Sequence, residues 1–317
     1  MPTRKSPRKG SLQFWPRKRA RKFLPSVNWD VISSGKNLNG FLCYKAGMVS
    51  VSAKDNTPNS LMKGKKIVIP CTILECPPMK ILSIRFYKNG NVVNEFLVEN
   101  IDKELKRKIR IPKAKKQDLS YFEKKDNYDD VRIIVYSQVK KTGIKKTPDL
   151  SEIGLSGTLD EKINFVRENL IKEISVLDVF EKGQLVDLRG LTKGQGLQGP
   201  VKRFGITLKS HKSEKGRRRP GSLGPWHPAR VTFRAPMAGQ MGMYTRNVYN
   251  NKIIDLGKSE NKEELKGIKN FGDVKTDYII VRGSVQGPSK RQLIMTSPLR
   301  KTKKQSKKNF DLLEIIR

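Results

Sequence analysis

Long apolar runs are missing from this chain of 317 residues. None approaches the roughly 20 residues that span a bilayer, and the N-terminus lacks the apolar core of a signal peptide. The sequence therefore predicts a soluble, intracellular protein with no membrane partner. Cysteine is also scarce. Cys43, Cys71 and Cys76 are odd in number and sit in apolar, strand-like runs, and His211 and His227 are the only histidines. No CxxC pair or metal-ligand spacing exists, so free buried thiols in a reducing compartment are expected, with no metal and no cofactor. Acids are the third shortage: 30 Asp and Glu face 66 Lys and Arg, a formal charge of +36. Self-repulsion at that charge disfavours a compact state in isolation and implies a polyanionic partner rather than a small-molecule substrate. Hydrophobic residues make up 36%, below the roughly 45–50% of ordinary soluble domains. At this length there is still room for one sizeable core or two modest ones, with long unpacked extensions.

The charge is concentrated. Residues 188–254 hold fourteen Lys and Arg, ten glycines and a single acid, Glu214. Such a segment is too one-signed and too flexible to form an ordinary core, and nucleic acid is the polyanion that suits it. Residues 1–22 carry nine Lys and Arg and no acid, including Arg4, Lys5, Arg8, Lys9, Arg17, Lys18 and Arg19. Leu12, Phe14, Trp15 and Pro16 interrupt these charges with flat apolar groups, a combination that suits stacking on bases and threading among phosphates. Residues 300–308 add six more cations and no acid.

Between the basic stretches the texture is that of short strands. Residues 41–44, 67–74 and 81–87 are enriched in Ile, Val, Cys and aromatics. Lys88-Asn89-Gly90-Asn91 offers an Asn-Gly turn joining 84–87 to 92–98 as a hairpin. Residues 101–130 are highly charged and poorly periodic and read as an irregular insertion. Thr158-Leu159-Asp160-Glu161 fits a capping box, and Ile163, Val166, Leu170 and Ile174 mark one apolar helix face. Strand texture returns at 176–180, 185–188, 230–234, 244–249, 253–256, 278–282 and 292–296, with turns at Asn250-Asn251 and Gly287-Pro288. Phe310, Leu312, Leu313, Ile315 and Ile316 predict a docked terminal strand or helix turn. The fold class is mainly β with an α insertion: a small β-barrel completed by both halves of the chain.

Gly194-Gln195-Gly196-Leu197-Gln198-Gly199 is a literal GxGxxG. A dinucleotide site needs that turn between a strand and a helix, with an acid about 20 residues on. Here Pro200 and a basic run follow, and Glu214 is the only acid within reach, so no phosphate-binding helix is expected. The glycines instead suit close approach to an RNA backbone. Trp226 and His227 are bounded by Gly221, Gly224, Pro225 and Pro228, which make a rigid turn. A Trp at such a tip can stack on a base while Arg217, Arg218 and Arg219 hold phosphates. His211 is preceded by Ser210, but neither His211 nor His227 has a Cys or Asp beside it in sequence that would complete a catalytic set.

The run from Gly194 to Gly205 (GQGLQGPVKRFG), followed at a distance by Met237-Ala238-Gly239-Gln240-Met241-Gly242, is very similar to a signature of the large-subunit ribosomal protein family conventionally numbered three. Gly10 to Ala20 (GSLQFWPRKRA) and Gly224 to Val231 (GPWHPARV) resemble the archaeal and eukaryotic branch of that family. The resemblance spans essentially the whole chain. It implies a translation-protein-type β-barrel with long basic extensions into ribosomal RNA, a structural role with no catalytic residue, binding early in subunit assembly, and neighbouring large-subunit proteins as further partners. It implies a finger over 200–236 that approaches the peptidyl transferase centre, with Trp226 at its tip and His211 on its basic flank. The expected parts are an N-terminal extension (1–35), a first barrel part (36–100), a charged and helical insertion (101–174), a second barrel part (175–199 and 237–298), the finger (200–236) and a basic tail (299–317). The candidate RNA contacts are Arg4, Lys5, Arg8, Lys9, Phe14, Trp15, Arg17, Lys18, Arg19, Lys202, Arg203, Lys209, His211, Lys212, Arg217, Arg218, Arg219, Trp226, His227, Arg230 and Gln240. Two rival readings stay open on the residues alone: an RNA-modifying enzyme, and a non-ribosomal architectural nucleic-acid-binding protein.

Overall fold

The computed structural model describes residues 7–32, 34–99, 101–110 and 127–316. Arg4 and Lys5 lie outside them. The chain divides into two compact units, one of Leu24–Gly190 with Asn247–Arg317 and the other of Met1–Phe23 with Leu191–Arg246.

The larger unit is built on a closed antiparallel sheet. Strand β1 (Gly40–Asp55) pairs over Tyr44 to Lys54 with β2 (Lys66–Cys76), and the second half of β2 pairs with β11 (Asp277–Arg282). The ring continues through β10 (Thr245–Lys258), β7 (Leu185–Leu191) and β12 (Gln292–Thr296), and β12 pairs back onto Gly40 to Tyr44 of β1. Six strands thus form a barrel, two from the first half of the chain and four from the second. Closure removes the unpaired edges that an open sheet would present. The terminal strand β13 (Phe310–Ile316) pairs with the other half of β1, so the chain ends as a docked strand rather than a helix turn.

A second sheet, ordered β4-β3-β5-β6, packs in the same unit: β3 (Met79–Lys88), β4 (Asn91–Leu97), β5 (Asp130–Ser137) and β6 (Leu150–Gly154). The hairpin expected at Asn89-Gly90 is present, with both residues at positive φ (50° and 75°) as a tight two-residue turn requires. Its strands join this second sheet rather than the barrel. The charged insertion accordingly holds two strands as well as a helix. The β-branched run Val131, Ile133, Ile134 and Val135 carried the signal for β5, and its charged surroundings masked it. Phe41, Leu74, Ile279 and Ile294 of the barrel share one apolar cluster with Met79, Phe86, Val131 and Ile133 of the second sheet. Burial of this kind, at about 25 cal/mol per Å² of apolar area, is the dominant stabilising term.

Helix α1 (Leu159–Asn169) starts as its sequence predicts. The Thr158 hydroxyl accepts from the Glu161 N–H, the Glu161 carboxylate accepts from the Thr158 N–H, and Ile163 and Val166 are buried. Residues 176–180 differ from expectation. They form a 3₁₀ turn (Val176–Asp178) instead of a strand, because Ser175 and Asp178 cap each other's backbone N–H groups. The two strands expected at 244–249 and 253–256 are one. Asn250 takes φ 55° inside β10 and donates its N–H to the buried Asp187, so the strand kinks there without turning back. All three cysteines are buried and free. Among the described residues no helix is long and apolar enough to cross a membrane.

Candidate nucleic-acid interface

In the smaller unit, the glycine-rich run and the Met237-Gly242 run face each other. Strand β8 (Leu197–Gln198) pairs with β9 (Gly239–Gln240), and the ladder continues through Gln195 N–H to Met241 O (3.0 Å), Met241 N–H to Gly196 O (2.8 Å) and Thr192 N–H to Tyr244 O (3.0 Å). Gly242 shows why the second run needs glycine. It sits at φ 77°, and a Cβ there would lie 2.0 Å from the carbonyl oxygen of Lys193. The two motifs are the two sides of one close backbone contact.

Contrary to expectation, a helix does begin after the GxGxxG. It is the single turn α2 (Pro200–Phe204), with Pro at its first position and Gly205 closing it in the left-handed conformation. Proline suits that first position because its missing N–H would have no partner there. One turn of helix ending at a glycine is far from a dinucleotide site.

Arg203, projecting from α2, binds three main-chain carbonyls at once: Gln240 O through Nε (3.0 Å), Met237 O through Nη1 (2.9 Å) and Arg17 O through Nη2 (3.3 Å). The planar fork of five donors makes this possible where a lysine ammonium would not reach. It ties the helix turn, the returning strand and the N-terminal arm together. Arg17 does similar work in the arm. Its guanidinium lies 3.8 Å from the Trp15 ring centroid and 4.8 Å from that of Phe204, and it donates to Ser11 O at 2.7 Å. Burial, with the positive charges of Arg203 and Arg8 close by, draws its pKa below the ordinary arginine value. Trp15 meets Phe233 edge-on at 4.5 Å, Arg8 donates to Arg234 O at 2.6 Å, and Arg246 lies 4.3 Å from the centroid of Phe14. Gln240 directs its side-chain amide at the carbonyls of Met241 and Gly242.

The candidate residues therefore fall into two groups. Arg8, Phe14, Trp15, Arg17, Arg203 and Gln240 are drawn together as the scaffold of the unit. Lys18, Arg19, Lys202, His211, Lys212, Arg217, Arg218, Arg219, Trp226, His227 and Arg230 are exposed, and Lys9 and Lys209 are half-buried. Residues 230–234, expected as a strand, are irregular. Among the described residues no strand pairs with them, and the chain turns through the Ala235 N–H to Thr232 O bond. In the finger, Lys209 N–H donates to Arg217 O (3.1 Å) and the Lys209 ammonium pairs with Glu214 (3.3 Å), so the unit's single acid already has a cation. Trp226, at the far turn, is 87% exposed. His211 and His227 are both exposed, and among the described residues no group of three His, Cys, Asp or Glu side chains is placed to hold a metal. The sequence reading missed Arg246, Tyr244 and Phe233, since a strand pattern at 244–249 assigned the first two to the barrel. With residues 13–21, Tyr244 and Arg246 line a groove of about 390 Å³ whose walls are arginines and aromatic rings.

Known proteins similar to this chain include archaeal ones. The chain is 39% identical over 308 residues to the large ribosomal subunit protein uL3 of Methanocaldococcus jannaschii, covering 93% of this chain and 91% of the relative. It is 38% identical over 323 residues to that of Archaeoglobus fulgidus, covering 98% and 96%, and 40% identical over 317 residues to that of Pyrobaculum calidifontis, covering 94% and 93%. Residues 1–316 match the family Ribosomal protein L3, to which this chain belongs.

Proposed function

We propose that the protein is a structural constituent of the large ribosomal subunit: it binds large-subunit ribosomal RNA, sits among other large-subunit proteins in the cytoplasm, and contributes to early subunit assembly. The barrel is the anchor, and the arm and finger neutralise phosphate. The finger over 200–236 braces RNA near the peptidyl transferase centre, where the chemistry belongs to RNA and the protein supplies no catalytic group. The observation that carries this reading is the fully presented Trp226 ring at the end of a segment whose cations outnumber acids twelve to one over 191–246. An indole held out by Gly and Pro has no core to enter and is free to stack on a base, an interaction worth about 1–3 kcal/mol per base. The exposed cations Arg217, Arg218 and Arg219 suit phosphates, while the aromatic-lined groove at the arm suits an RNA strand passing along it. The readings as an RNA-modifying enzyme or as a non-ribosomal architectural protein have no support in the family.

Purified subunits carrying Trp226→Ala test the role of the finger. They are expected to assemble normally and to show altered tRNA binding and peptidyl transfer. Unchanged tRNA binding together with unchanged peptidyl transfer would refute it.

A further inference from the structure

The barrel unit carries a second concentration of positive charge that none of the candidate contacts includes. The loop joining β1 to β2 and its flanks hold Lys54, Lys63, Lys65 and Lys66, all exposed. The C-terminal segment 300–308 holds six cations and includes the short helix α3 (Lys303–Ser306). Sequence alone reads the latter as part of a basic tail, and in the structure the two segments are fastened to each other. Asn56 N–H donates to Asn309 O (2.9 Å), Asn309 N–H donates to the Thr57 hydroxyl (3.1 Å), and the Asn56 amide donates to Asp311. Lys252 reaches from β10 to Ser306 O at 3.2 Å and holds the helix turn down. Within the loop, Asp55 accepts from Thr57 N–H (2.8 Å) and Ser60 (3.0 Å), and Gly64 N–H donates to Asp55 O (2.7 Å). Ten cations on two ordered segments thus face two acids, Asp55 and Asp311, both engaged by neighbouring loop side chains.

Like charge crowds at the junction, with Asp55 as a partial counterweight at Lys308. Burial lowers the Lys308 pKa, and Arg282 and Lys304 lower it further. Cations that so far outnumber the acids among them suit a polyanion. Leu61, at the loop tip, is 97% exposed beside the exposed Met62, an apolar pair raised among lysines with no core to join. RNA fits better than an acidic protein segment. Phosphates repeat along a backbone and can engage cations on two adjoining segments, and apolar side chains pack on exposed base or sugar faces.

We propose that the β1–β2 loop and the C-terminal segment form one ordered platform that binds the phosphate backbone of large-subunit ribosomal RNA, separately from the arm and finger. It rests on the ribosomal reading above and adds a contact site to it.

Binding of the full-length protein to purified large-subunit ribosomal RNA is measured against salt for three chains: the native one, a Lys63→Glu, Lys65→Glu, Lys66→Glu variant, and an Arg217→Ala, Arg218→Ala, Arg219→Ala variant. Each lost phosphate contact reduces the logarithmic slope by about 0.7–0.9, so the loop variant is expected to lose about 2–3. A slope that stays unchanged in the loop variant while falling in the finger variant overturns the platform and leaves the ribosomal reading standing. Unchanged slopes in both overturn the two together. Leu61→Cys guards against misfolding of the charge-reversed loop, since Cys43, Cys71 and Cys76 are buried and take no label. With an iron chelate at position 61 in assembled subunits, strand cleavage at one cluster of RNA sites is expected. Cleavage of a protein neighbour without RNA cleavage would assign the loop to an acidic protein and overturn the proposal.

Discussion

The barrel unit and the basic unit hold their shapes by different physics. In the barrel unit, strands close on themselves and apolar side chains on both faces of the sheet, such as Phe41, Ile73 and Ile294, are fully buried. In the basic unit, Leu191, Phe204 and Ile206 are the buried apolar side chains among the described residues. Order there comes from a backbone ladder, from arginine forks on carbonyls, and from guanidinium groups stacked on aromatic rings. Apolar burial needs neither a counter-charge nor a partner. Arginine scaffolding leaves a large uncompensated charge that a polyanion neutralises. The first arrangement makes a self-sufficient anchor, and the second makes a probe that reaches its full stability only on RNA.

The largest expected effect lies in the barrel. Phe41→Ala removes a fully buried ring from the shared core and is expected to cost about 3–5 kcal/mol in chemical unfolding. A small loss would show that the barrel does not depend on its core and would erase the contrast. Next is Arg203→Ala, which strips three carbonyls of a charged donor at about 1.5–3 kcal/mol per interaction before partial replacement by water. The global unfolding midpoint should barely move, while amides around 237–243 lose protection from hydrogen exchange. Arg203→Lys should rescue little, because one ammonium cannot span the three acceptors.

A pH effect separates the units further. Burial pushes the Glu75 carboxyl up to about 7, even though Oε1 accepts from Lys275 N–H, Thr276 N–H and the Thr276 hydroxyl; Oε2 is buried without a partner. The folded value is above the unfolded one, so the fold favours the protonated acid. The contribution is full below about pH 4.5 and is lost as pH rises through about 7. Native barrel stability should therefore fall across that window, and Glu75→Gln should flatten the profile. An unchanged slope in the variant would remove Glu75 from the account. The smallest stability effect belongs to Trp226→Ala, which should leave the unfolding midpoint unchanged because the ring contacts solvent.

Legibility in the sequence followed the same division. The Asn89-Gly90 hairpin, the Thr158–Glu161 capping box and the strand at 292–296 were readable because each depends on residues close in sequence. The closure of β12 onto β1 depends on residues about 250 apart, and periodicity carries no register over that distance. The Ser175–Asp178 cap overrode an apolar run that resembled a strand. In the basic unit the class of partner was legible from charge alone. The division between Arg203 or Arg17, turned inward on carbonyls and rings, and Arg218 or Trp226, left outside, was not. Arginine has the same one-letter signal in both roles, and geometry alone decides between a guanidinium turned onto carbonyls and one left in water.

Hydrogen exchange of the full chain, free and within the large subunit, tests the comparison most directly. Free, the barrel strands over 40–55 and 277–296 should exchange slowly, and residues 7–23 and 191–246 should exchange far faster. In the subunit the second group should become protected while the first changes little. Equal protection of both units in the free chain would contradict the account, since it would mean that the basic unit is as self-sufficient as the barrel.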